Sequence, residues 1–206
     1  KHDNAYSPDY RGYRYLALVA DLKPNSPEEA EAIALIGGWN LRTDKQNRHA
    51  ALGVCILLEE WQAERSQVAL PDARETLHQC MKSVRDVSGR LDPEWGSVQQ
   101  HGRGDRKWDA AGGPDTLRAM YAERLDEKDD HLTVVAGDGL YYLIEWTADG
   151  RHNIQGTHQY GSHMTDASSP HYLDQAEDFS RETMRPPGFY PENRSTISRR
   201  YTVSGP

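Results

Sequence analysis

The groups most able to do chemistry crowd into one short stretch, Asp166-Ala-Ser-Ser-Pro-His-Tyr-Leu-Asp-Gln175. Here Ser168, Ser169, His171, Tyr172, Asp174 and Gln175 surround Pro170, whose ring fixes its own φ. A histidine with a carboxylate three residues on can orient a neighbour or accept a proton. The same groups can also tie the loop into one path through side-chain to backbone hydrogen bonds, and the composition favours that reading. A Ser–His–Asp arrangement through Ser168 or Ser169 lacks the Gly-x-Ser-x-Gly elbow that presents such a serine. A metal site is no better supported. His152, His158, His163 and His171 are separated by 6, 5 and 8 residues, which matches no helix-face ligand motif. On one strand His152 and His158 share a face but stand about 20 Å apart.

The elements that must position this loop lie just before it. Tyr141 to Trp146 is rich in aromatic and branched residues, Asp149-Gly150 is a strong two-residue turn signal, and His152 to Tyr160 returns with β-compatible residues. An antiparallel hairpin follows from that order.

The run Gly161 to Gln175, with Gly137-Asp138 and Glu145-Trp146 before it, resembles the C-terminal end of the catalytic (beta) chain of penicillin-acylase-type N-terminal-nucleophile hydrolases, acyl-homoserine lactone acylases in particular. In that family a strand beginning Gly-Asp-Ser leads through a turn and a return strand to an SPHYxDQ loop. Here the loop signature is intact from Ser169 to Gln175, while Gly139 stands in place of the serine. A second block, Trp95-Gly-Ser-Val with Arg103-Gly-Asp105 and Gly112-Gly-Pro-Asp-Thr-Leu-Arg118, is similar to the family too. The resemblance spans about residues 30 to 195. It implies an α+β chain, helical in its first half and built on an antiparallel β-hairpin in its second, like the C-terminal portion of an αββα sandwich.

The family mechanism needs a free N-terminal Ser, Thr or Cys that attacks an amide carbonyl, with its own α-amino group as base and oxyanion donors around it. Lys1 has no such oxygen or sulfur, and the family's nucleophile and oxyanion asparagine lie upstream of this region. No catalytic residue is therefore carried to any position here. Ser169, His171, Tyr172, Asp174 and Gln175 are supporting-loop candidates. The resemblance implies hydrolysis of a linear amide, of the acyl-homoserine lactone (quorum-quenching) or penicillin type, by an intact enzyme. Its partners would be the remaining acylase chain or chains carrying the nucleophile and a small acyl amide substrate. No cofactor or metal is expected, and the location implied is periplasmic or secreted. A free-standing, non-enzymatic binding module on the same scaffold is the alternative. An acylase piece should bare a large apolar face for its partner, whereas a module should bury its aromatics.

Bulk properties point the same way. Only 36% of the 206 residues are hydrophobic, Phe occurs twice, and the mean hydropathy is -0.86. That is polar for an independent globule of this length and fits a part whose apolar complement lies elsewhere. A net charge of -8 and a pI near 5.6 give no reason to expect nucleic acid. No apolar run approaches the roughly 18 residues of a membrane span. The start at Lys1 reads as a processed or excised product.

Residues 1–25, with Tyr6, Tyr10, Tyr13 and Tyr15 among Pro and charges, read as an extended segment lying across something else. Residues 26–91 read as helical. Ser26 can cap a helix, Pro27 suits its first position and Glu29 completes a capping box, with the helix running to about Trp39. Further helices fit Asn47 to Arg65 and Asp72 to Ser88 by apolar spacing. If the connection turns near Val68, Cys55 lies 13 residues before it and Cys80 12 after, at one level of an antiparallel pair. A disulfide and a pair of buried thiols both fit that placement. Residues 92–186 read as β-rich, with Thr116 to Leu125 a strand or short helix by propensity and extended by resemblance. Residues 187–206 read as a surface tail.

Overall fold

The structure is a computed structural model that describes residues 10–114 and 116–186. The expected tail over 187–206, and the first nine residues of the expected N-terminal segment, lie outside the described residues. The chain is α+β, as expected, and divides into two compact units between Asp138 and Gly139.

The first unit opens with a helix where an extended segment was expected: α1 covers Tyr10–Ala20. Tyr15, Leu16 and Val19 form its buried stripe. The Tyr15 hydroxyl donates to Thr76 Oγ1 at 2.7 Å, which lets a polar-tipped ring sit almost wholly inside. The stripe is short and sits among tyrosines and charges, so the sequence hides it until its tertiary partners are in place.

The next three helices start where their caps dictate. Helix α2 (Pro27–Gly37) begins at Ser26, whose Oγ accepts from Glu29 N at 3.1 Å. The return bond of the box goes to the N–H of Asn25 (2.7 Å), not to that of the cap itself. Helix α3 (Ala50–Arg65) starts three residues later than expected, because Asn47 is spent on a turn in which its Oδ1 accepts from His49 N at 2.9 Å. Helix α4 (Ala73–Ser88) is capped by Asp72, which accepts from Arg74 N and Glu75 N. Facing sides of α1 to α4 bury Leu52, Ile56, Leu57, Leu77 and Val84 in one core. Cys55 and Cys80 are joined by a disulfide between α3 and α4.

A single turn, α5 (Trp95–Val98), leads into a sheet of β1 (Gln99–Arg103), β2 (Arg106–Asp109), β3 (Met120–Glu123) and β4 (Leu132–Gly137). Its order is β2-β1-β4-β3, with β1 parallel to β4 and the other pairs antiparallel. Thr116 to Leu125 thus supplies a strand, β3, interrupted by a bulge at Tyr121/Ala122. Gly137 ends β4 at φ +134, where a Cβ would lie 2.2 Å from Ala119 O. Only glycine fits such a place. The next residue, Asp138, closes it from both ends: its N–H donates to Ala119 O, and its Oδ2 accepts from Ala119 N.

The second unit is the hairpin β5 (Leu140–Trp146) and β6 (His152–His158), followed by the loop and the short helix α6 (Ala176–Ser180). Asp149-Gly150 lies in the connection, but the connection is longer than a two-residue turn. Trp146 pairs with His152, and Thr147 N donates to Arg151 O at 2.9 Å, so residues 147–151 form the loop.

Candidate functional site

Loop 161–175 is held by its own side chains. Asp166 opens it, accepting from Ser168 N (2.9 Å) and Ser168 Oγ (2.6 Å), and these two donors hold its carboxyl below the usual carboxylate range. Ser169 N donates to Asp166 O, the Ser169 Oγ accepts from His171 N at 3.2 Å, and Tyr172 N donates to Ser169 O. The His171 ring pairs through Nδ1 with Asp174 Oδ2 at 3.1 Å. Gln175 fastens the end of the loop to β6. Its side-chain Oε1 accepts from His158 N (3.1 Å), and its own N–H donates to Tyr160 O (2.8 Å).

Ser169, His171, Tyr172, Asp174 and Gln175 are therefore gathered in one loop, in a pattern of local ties. The Ser168 hydroxyl serves Asp166 and the Ser169 hydroxyl serves a backbone N–H, so neither serine is arranged as a nucleophile backed by the imidazole. The His171 ring is more than half exposed, and its carboxylate partner is partly exposed.

Two contributors escaped sequence reasoning. Gly161 lies so close to the loop's far side that a Cβ would stand 2.2 Å from His171 O and 2.7 Å from Asp174 Oδ1. Arg185 forms a clamp. Its Nη2 donates to Asp174 O at 2.6 Å, its Nε pairs with Asp178, and its backbone exchanges both hydrogen bonds with Gly156 on β6. Glycine at a close approach has a weak signal, and an arginine eleven residues from its carbonyl partner has none.

In the hairpin beside this loop, one face of β5 is apolar where it meets solvent. That face presents Leu140, Tyr142, Ile144 and Trp146, which are 45%, 58%, 41% and 71% exposed. On the other face Tyr141 stacks on the buried Phe179 of α6, with ring centroids 5.5 Å apart. Four large apolar side chains in a row on one strand face are far from the scattered exposure of an ordinary surface.

The penicillin amidase family model matches residues 4–196, nearly the whole chain. The chain belongs to the penicillin amidase family. The family is one of acylase-type hydrolases, and the match takes in both resemblance blocks, the Trp95 to Arg118 region of the first unit and the Ser169 to Gln175 loop of the second. In this chain the first block is as closely tied as the second. Gly112, at φ +92, takes Arg118 O within 2.2 Å of where a Cβ would be, and Thr116 Oγ1 lies 2.6 Å from that same carbonyl oxygen. Both signatures thus fall on backbone crossings too tight for most residues. No helix among the described residues is long and apolar enough to cross a membrane.

Proposed function

We propose that this chain is the C-terminal segment of an amide-hydrolysing acylase acting on acyl-homoserine lactones or penicillin-type amides. In this reading it supports the catalytic core and contributes no nucleophile. The observation that carries it is the bare face of β5. An isolated two-stranded hairpin is marginal in water, and one with Leu140, Tyr142, Ile144 and Trp146 turned outward needs a complementary surface. The buried Nδ1 of His158, on the neighbouring strand, has no hydrogen-bond partner among the described residues, as expected where a docked chain brings its own polar groups. The supporting loop, Ser169 to Gln175, then serves to hold β6 and α6 in fixed positions beneath that surface. The Cys55–Cys80 bond fits an exported, periplasmic or secreted enzyme, since such bonds persist in oxidising compartments.

The test is to isolate from the native source whatever copurifies with this chain and sequence its N-terminus. A companion beginning with Ser, Thr or Cys is expected, and replacing that first residue should abolish amide hydrolysis. Trp146→Glu should weaken the association at least about tenfold while leaving the chain folded, because a charge placed on the buried face of an interface is left unpaired. A chain that purifies alone, folded and monomeric, and is indifferent to Trp146→Glu, would be a binding module and not an acylase part.

A further inference from the structure

Within the first unit a cavity of about 370 Å³ lies between α3, α4 and the β3–β4 side of the sheet. Its size is that of a small-molecule site. Val54, Val84, Val87, Val98, Met120 and Leu132 are among the residues that line it. At its edge the rings of Trp61 and Tyr121 lie 5.7 Å apart, with the Arg65 guanidinium over Trp61.

Two features narrow what it would hold. The first is charge. Of the charged lining residues, Glu59 and Glu123 are acidic, and Arg124 is committed to backbone carbonyls, donating to Asp129 O, Asp86 O and Glu127 O. An anion would face these carboxylates with no uncommitted cation among the lining residues, and Arg65 at the edge lies over the Trp61 ring, so the cavity suits an uncharged molecule. The second feature is Gln99, 1% exposed and part of the lining. Its Nε2 donates to Ala110 O at 3.2 Å and to Gly112 O at 3.0 Å. Two carbonyl acceptors fix which end of the amide is nitrogen, and they leave Oε1 with no donor among the described residues. A buried amide oxygen beside an apolar cavity asks for a donor. Trp95, whose Nε1 also donates to Gly112 O (2.8 Å), holds the same wall in place.

We infer that this cavity binds a small uncharged molecule with an apolar body, a single ring or a short alkyl chain, and one hydroxyl or amide N–H that donates to Gln99 Oε1. The inference is independent of the acylase reading, because its readout is binding to this chain and no hydrolysis is measured.

The experiment follows the methyl signal of Met120 by NMR while the 206-residue chain is titrated with benzyl alcohol and, separately, with toluene. Both should give saturable shifts. Val87→Phe fills the cavity and should weaken both ligands at least about tenfold. Gln99→Met should weaken benzyl alcohol about fivefold, the worth of one neutral hydrogen bond, and change toluene less than twofold. Should Val87→Phe disturb the helical packing, Ala122→Leu narrows the cavity from the sheet side and is expected to weaken both ligands likewise. A flat wild-type titration overturns the proposal, as does unchanged binding in a folded filled variant. Equal losses for the two ligands in Gln99→Met overturn the assigned role of its oxygen.

Discussion

The two units of this chain are held together by different physics. From Tyr10 to Asp138 the facing sides of the helices bury a continuous apolar core, a disulfide crosses the helical pair, and even polar groups such as Gln99 and Arg118 are enclosed. From Gly139 to Pro186 most of the large apolar side chains of β5 point outward, and order comes from a polar loop, a glycine contact and an arginine clamp. The contrast is between a unit that carries a continuous buried core and one whose main strand leaves a row of large apolar side chains in solvent. Burial supports the first, whereas directional bonds keep the second in shape while its apolar surface remains uncovered.

The sharpest way to separate the two is to cut the covalent tie. The Cys55–Cys80 bond closes a separation of 25 residues, which in the chain-entropy account is worth about 3.5 kcal/mol. Cys55→Ala with Cys80→Ala should lower the unfolding free energy of the first unit by that order, read from its denaturation curve. Hydrogen exchange in residues 139–186 should stay as in the wild type. Equal loosening of both units would show that they share one cooperative core, and the comparison would break.

Acid should distinguish them next. His101 is fully buried and stacked on Trp108 at 5.3 Å, and burial, helped by Arg118 and Lys45, pushes its pKa down to about 4. The unfolded chain takes up the proton near pH 6.5, well before the folded one does. This contribution is therefore intact above about pH 6.5 and is lost as pH falls toward 4, by up to about 3 kcal/mol. His101→Phe should flatten the stability of the first unit across that window, as measured by denaturation at a series of pH values. A wild-type slope retained in the variant would place the titrating group elsewhere.

What the sequence revealed follows the same division. Local rules located α2 and α4 closely, because Ser26, Pro27 and Asp72 specify their starts within a few residues of chain. They missed α1, whose buried stripe depends on Thr76 and Pro71 far along the chain. The parallel pairing of β1 with β4 left no trace, because nothing local records a partner some thirty residues away. At the loop, the residue types announced a path tied by side chains, and the bonds from Asp166, Ser169 and Gln175 have that character. Arg185 and the closeness of Gly161 to His171 O were not legible, since both depend on chain returning from outside the loop.

The smallest effects test whether the loop is a strap or a reactive centre. Gly161→Ala drives a methyl against backbone at His171 O and should cost about 2 kcal/mol. The loss should appear as faster exchange at the N–H groups of Gln175 and His158, which anchor the loop to β6. His171→Ala removes only a solvent-facing imidazole paired with Asp174, a contact worth about 0.5 kcal/mol. Its backbone bonds to His163 and Ser169 survive the change, so loop exchange should hardly move. On the acylase reading proposed above, Gly161→Ala in the assembled enzyme should then depress amide hydrolysis more than His171→Ala, in proportion to the loosening each causes. The reverse order, with His171→Ala abolishing turnover while exchange stays at the wild-type level, would make the imidazole a participant in the reaction and end the strap account.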